Sequence, residues 1–452
     1  IYLAGGRLVY LAGIVALFCA GLLWLVGVTA VATTAGRQGT PPASPTFTKD
    51  IAPILYKNCT QCHRAGEIAP MPLMTYDDVR PWARSIRDRV LGNEMPPWHA
   101  DPAVGHWVNE RRLTDKEKET IARWVTLGAP KGDAADLPPA PVYSSGWNIG
   151  TPDAVFSMPE TYSVPAGGTI EYQYFDVPTK FTEDKWIQAV EVRPGSRAVV
   201  HHVIVFYQEP GKNPRPSALK PAANMGKPEP PVDPSAPAAP KKEPRNLGMM
   251  LVGLAPGTEA VTFPPGTARL VRAGSTLTFQ MHYTANGTAA TDRTSIGIKF
   301  ASAPPEVEIR TTALVNQNFT LAPGAARASV EATMNVTDDV TLWSMLPHTH
   351  LRGQSWKYDV TYPDGRNEVI LAVPHYDFNW QTEYWFTAPL QLPKGSKLHA
   401  IATYDNSSAN PSNPDPKVAV TWGDQTWEEM MFTGMAFSVD KERRTAPVVV
   451  KR

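Results

Sequence analysis

The spacing of apolar and polar positions changes three times along the chain. From Leu8 to Ala35 the run LVYLAGIVALFCAGLLWLVGVTAVATTA carries no charge. It exceeds the ~20 apolar residues a bilayer core requires, so it predicts a tilted transmembrane helix within 1–36. Arg7 and Arg37 flank it evenly. The small residues AVA at 30–32 have the form of a processing site, yet the segment is read as a retained signal anchor. A polar, Pro-rich tether follows over 37–45. The period then becomes helical. Ile51, Ile54 and Leu55 share one face, as do Val79, Trp82, Ala83, Ile86 and Val90. A third helix opens on a Thr114–Glu117 capping box and stops at Gly128 and Pro130. These patterns predict a small all-α domain over 46–134 and a linker over 135–150. From about Trp147 the texture is all-β: short runs such as TIEYQYFDV, AVVHHVIVFY, TLTFQMHYTA and VTLWSMLPHTH, separated by Gly, Pro, Asn and Asp. Sandwiches are the predicted architecture. One stretch, 209–246, is too polar and Pro-rich for strand or core and predicts a mobile surface insertion.

Composition narrows the chemistry. Lys and Arg balance Asp and Glu at 43 each, which gives no argument for a nucleic-acid partner. The 452 residues include only three cysteines, Cys19, Cys59 and Cys62. Cys59-x-x-Cys62-His63 is the pattern of covalent haem attachment, with His63 as one axial ligand. Zinc would need further ligands, for which His99 and His106 are available but no second cysteine pair exists. A thioredoxin-like pair would need a βαβ setting. Met95, in the proline-stiffened NEMPPWHA, is the expected second haem ligand, with Met71 and Met74 as alternatives. This arrangement resembles a small class I cytochrome c domain over roughly 46–134. That resemblance implies one covalent haem c and a location outside the cytoplasm: a single pass through the inner membrane, with the bulk in the periplasm.

Five of the ten histidines fall in three β-segments: His201 and His202, His282, and His348 with His350. Residues two apart on a strand share a face, so His348 and His350 can hold one metal. His201 and His202 are adjacent and can do so only if the strand twists or bulges. Near the end, EEMMFTGM offers Met430, Met431 and Met435. Imidazole with thioether favours copper over zinc.

Over about 150–440 the order and context of these segments resemble the type II copper, ascorbate-dependent monooxygenases. The family includes peptidylglycine α-hydroxylating and dopamine β-monooxygenases. The resemblance implies two antiparallel β-sandwich subdomains, 151–305 and 306–452, with one copper each. His201, His202 and His282 would hold the electron-transfer copper. His348, His350 and Met430 would hold the catalytic one, where O2 and substrate meet. Leu346 and Gly434 stand where the peptide enzyme has the arginine and tyrosine that hold a peptide carboxylate, so a peptidylglycine substrate is not expected. The function so implied is hydroxylation of a C–H bond with O2, using electrons delivered through the haem from a donor protein or reductant. The alternative is a non-catalytic electron-transfer or accessory subunit of a larger membrane complex.

Overall fold

The computed structural model describes residues 44–65, 67, 69–143, 146–211, 218–222, 247–255 and 260–443. Its helices come first and are short. A π-turn at Phe47–Ile51 runs into Ala52–Asn58. Tyr76–Val79 continues through a 3-10 turn, Arg80–Trp82, into Ala83–Leu91. Asp115–Thr126 is the longest, at 12 residues. Both later helices open on capping boxes, Thr75 with Asp78 and Thr114 with Glu117, each satisfying two orphan N–H groups. Phe47, Leu55, Val79, Ile121 and Trp124 form their shared core. Trp82, placed on the buried face by helical spacing, is exposed, because the turn at Pro81 breaks the α-helical phase.

The remainder is sheet. Ala154–Ser157, Ser295–Phe300, Lys185–Arg193 and Thr267–Val271 pair in that order, and Val307–Glu308 adds a short parallel edge. Gln173–Pro178, Thr276–Tyr283, Val200–Gln208 and Met249–Leu254 form an antiparallel sheet. One hydrophobic cluster, including Val190, Val203, Val205, Phe279 and Ile296, joins the two. A second pair of sheets follows. Arg310–Asn316, Met431–Val439, Val340–His348 and Tyr384–Leu392 make one layer. Asn367–Val373, Gly353–Thr361, Lys397–Tyr404, Ala328–Val336 and Leu219–Pro221 make the other. Leu342, Met345, Trp356, Tyr358, Met431 and Met435 lie in the cluster between them.

Three expectations are corrected. Among the described residues the fold is not a free-standing all-α domain followed by a β-body, and the segment expected as a transmembrane helix lies outside them. The described chain is mostly sheet with a few short helices, and its described residues from Ser44 onward form one compact unit. The physical reason lies in residues 98–109, expected to belong to the helical domain. Trp98, Ala100 and Trp107 are buried in the second β-core. The Asp101 N–H donates to the Ala372 carbonyl and the Val108 N–H to that of Trp385, both at 2.9 Å. The inner-membrane localisation is likewise not supported: no helix among the described residues is long and apolar enough to cross a membrane, and the Leu8–Ala35 run lies outside them. Finally, the expected strand-free insertion over 209–246, most of which lies outside the described residues, contains a strand. Leu219–Pro221 pairs with Met334–Val336, and Ala218 and Leu219 enter the second core.

Candidate metal centre

Three strands and one loop assemble the histidines. His282 on Thr276–Tyr283 lies directly opposite His202 on Val200–Gln208. One position on, the register shifts, and Tyr283 faces Val200, so His201 is the extra residue of a bulge. That local twist brings neighbouring side chains to one side. His201 Nδ1 lies 3.1 Å from His202 Nδ1, which lies 3.3 Å from His282 Nδ1. One ligand nitrogen from each residue falls within a set spanning 4.8 Å. Among the described residues this is the one group of three or more His, Cys, Asp or Glu so placed; Cys59, Cys62, His99 and His106 do not form another. Burial holds all three imidazoles neutral. It lowers His201, drives His202 well below the usual histidine range and takes His282 down to about 3, with repulsion from neighbouring rings adding to the effect at His202 and His282. Three neutral imidazoles converging on one part-buried point form the donor set that a copper or zinc ion requires.

The second group sits at the end of Val340–His348. The rings of His348 and His350 are 5.2 Å apart and nearly perpendicular. His348 Nδ1 donates to Gln381 Oε1 at 2.9 Å, and His350 Nδ1 to the Glu428 carbonyl at 3.2 Å. Each bond places the proton on Nδ1 and leaves Nε2 as the lone-pair nitrogen. His350 Nε2 is fully buried and has no hydrogen-bond partner. An orphaned buried acceptor costs about 1–3 kcal/mol, which a bound metal would relieve. Burial takes His348 down to about 4 and His350 well below its usual range.

Glu429 builds this segment. Its buried carboxylate accepts from the backbone N–H of His350 at 2.8 Å, Arg352 at 2.6 Å and Met430 at 3.2 Å. Burial pushes its pKa up to about 7, against those three donors. Met430 follows it, half-buried, its carbonyl taking the Tyr404 hydroxyl at 2.8 Å. Met431 and Met435 are core residues of the second sandwich. Leu346 and Gly434 face each other across neighbouring strands, two positions before His348.

Phe378, from the 374–383 loop, lies between the two groups. Its ring stacks on His201 at 5.5 Å and 13°. It meets His202 at 6.3 Å, His282 at 6.4 Å, His348 at 6.4 Å and His350 at 5.9 Å. Neither Phe378 nor Gln381 is signalled by the sequence, since PHYDFNWQTE has no period and reads as an ordinary loop. Glu429 was visible there only as a neighbour of Met430.

The Cys-x-x-Cys-His turn closes the helix Ala52–Asn58. The Cys62 and His63 N–H groups donate to the Cys59 carbonyl at 3.1 and 2.9 Å. Both cysteines are thiols rather than a disulfide. Burial pushes Cys59 up to about 12, so it is no redox thiolate. His63 Nδ1 donates to the Met71 carbonyl at 3.1 Å, which leaves Nε2 for a ligand, as an axial haem histidine requires. Met71 itself packs against the helical core, while Met95 follows Ala83–Leu91 and is half-buried. The turn also touches the β-body: Glu67 pairs with Arg64 at 2.9 Å and with Arg197 at 3.6 Å, four positions before His201.

A scan of protein-family models finds none that matches the chain, and a search of curated proteins finds no match. Solved structures give remote likenesses. The major capsid protein P2 from bacteriophage PM2 is 7% identical, covering 63% of this chain and 97% of its own, with a TM-score of 0.26. The infectious bursal disease virus Gt strain structure is 9% identical, covering 68% and 75%, with a TM-score of 0.18. At those TM-scores the likenesses carry no argument.

Proposed function

We propose that this chain is a copper-dependent monooxygenase that receives electrons through a covalently attached haem. The observation that carries the reading is the convergence of His201, His202 and His282 on one point, beside a second histidine pair whose buried Nε2 lacks a partner. His201, His202 and His282 would hold the electron-transfer copper, and His348, His350 and Met430 the catalytic one. Copper supplies the one-electron and O2 chemistry that no side chain performs. The protein residues do the rest. Gln381 and the Glu428 carbonyl hold the Nδ1 protons and so orient both Nε2 atoms. Glu429 fixes the main chain on either side of His350. Phe378 would fill the space between the sets. Cys59 and Cys62 would bond the haem, with His63 and Met95 as its axial ligands. The apolar Leu346–Gly434 pair beside His348 favours a substrate without a carboxylate.

The test is O2 uptake by copper-loaded protein with a one-electron reductant, alongside its reduced absorption spectrum. The reading predicts c-type bands and O2 consumption lost in His348→Ala. Two bound coppers with no O2 uptake, whatever the reductant, would overturn it.

A further inference from the structure

The loop 374–383 is tied to both sides of the centre and to its frame. Its ends are clamped by the segment after Met95: the Asp101 N–H donates to the Ala372 carbonyl at 2.9 Å, and Asn109 Nδ2 to the Glu383 carbonyl at 2.7 Å. Tyr376 is fixed between the catalytic histidines. Its hydroxyl donates to the Thr349 carbonyl at 3.0 Å and accepts from the Thr349 N–H at 3.2 Å. Gln381 holds His348, and the Asn379 side chain bonds His201. Between these anchors, residues 377–380 are held mainly by short-range bonds. Asn379 N and Nδ2 both reach Asp377 Oδ1 at 2.9 Å, and the Trp380 N–H reaches the Asp377 carbonyl at 2.9 Å. Phe378 rides on this short arch, 8% exposed, with all five imidazoles within 6.4 Å of its ring.

We propose that Phe378 is the gate of the centre: its ring fills the space shared by the two histidine sets, and a small apolar molecule reaches them by displacing it. The inference rests on the reading of the two sets as one centre, but its geometry is independent of any metal. The arch can tilt by breaking its local bonds and the one contact of Asn379 with His201, whereas the clamped ends and Tyr376 cannot follow without opening the sheet. Asn379, on the arch, interacts with His201, and Gln381, where the arch ends, holds His348, so tilting it loosens one histidine of each set. A rigid phenyl also limits what can enter to roughly its own volume, since cores resist overpacking.

The test uses the metal-free full chain and diethyl pyrocarbonate, which acylates accessible neutral imidazoles, read residue by residue by peptide mass spectrometry. Phe378→Ala should speed modification of the buried His202, His348 and His350 by about tenfold or more, because local opening no longer has to displace a packed ring. His399, held by Asp359 and Glu331 on another strand, should keep its rate. Phe378→Leu should give a smaller rise in the same residues, and it serves as the comparison if the alanine variant does not fold. Unchanged rates in a folded variant, or an equal rise at His399, would overturn the gate. A copper count of zero in the unmutated chain would remove the proposed function while leaving this result to stand on its own.

Discussion

Trp107→Ala tests whether the helical segment and the β-body are one folding unit. Trp107 is 5% exposed and belongs to the second sandwich core, not the helical one. Its ring lies 5.4 Å from that of Tyr384 and 4.8 Å from that of Phe386, and its backbone forms a bridge with Phe386. Truncating a buried tryptophan costs about 3–5 kcal/mol through lost transfer energy and the cavity left behind. At roughly 2–4 °C per kcal/mol for a large domain, the melting temperature should fall by about 6–20 °C. Trp107→Phe should cost much less, because Nε1 is buried without a hydrogen-bond partner and its removal strands nothing. The assay is urea unfolding followed by far-ultraviolet circular dichroism at a β-sheet wavelength. If 46–134 were a separate domain, the substitution would leave the sheet midpoint where it was. A shift confined to a minor helical transition would refute the integrated fold.

Deleting 223–246 should leave the melting temperature nearly unchanged, since loop closure depends weakly on length; Leu219→Ala should cost about 2–5 kcal/mol in the same thermal scan, because its side chain is buried in the second core. Metal-free protein should lose stability in acid. The five clustered histidines have folded pKa values below the unfolded value, so the unfolded chain takes up protons first, at about 1.4 kcal/mol per pH unit per group as pH falls below 6.5, down to about 4 for His348 and about 3 for His282. Glu429, raised to about 7, works the other way between its unfolded value and 7, but it is one group against five; denaturation that is flat from pH 6.5 to 4.5 would contradict the buried neutral cluster. Met430→Ala should lower copper affinity at the His348–His350 site with little change in stability, whereas Met431→Ala should destabilise by about 2–5 kcal/mol and leave the metal count intact.

Local signals in the sequence mapped onto local structure. The Thr114–Glu117 capping box is formed, and the histidine-bearing runs are strands, except that His350 lies two residues past the end of Val340–His348 rather than on the strand with His348. The condition set by adjacent histidines, that the strand must bulge, is met at His201. What escaped the sequence was tertiary. Trp98 and Trp107 sit in a Pro-rich loop with no period, and only the Tyr384–Leu392 strand shows why they are there. Leu219–Pro221 is three residues long, too short for alternation to register inside a Pro-rich stretch. Phe378, Gln381 and Glu429 act through partners remote in sequence, so no spacing rule reaches them. The expected free-standing all-α fold failed for the same reason: composition changes at the helix-to-strand boundary, but packing crosses it.

The most direct test of the two-site account is a copper count per chain after anaerobic loading with Cu(I) and removal of excess, on the unmutated protein, His202→Ala and His350→Ala. Two coppers are predicted in the first, and one in each variant, with the remaining copper bound in a different ligand environment by X-ray absorption. A count that neither substitution changes, or one copper lost together with the other in both folded variants, would contradict two independent sites.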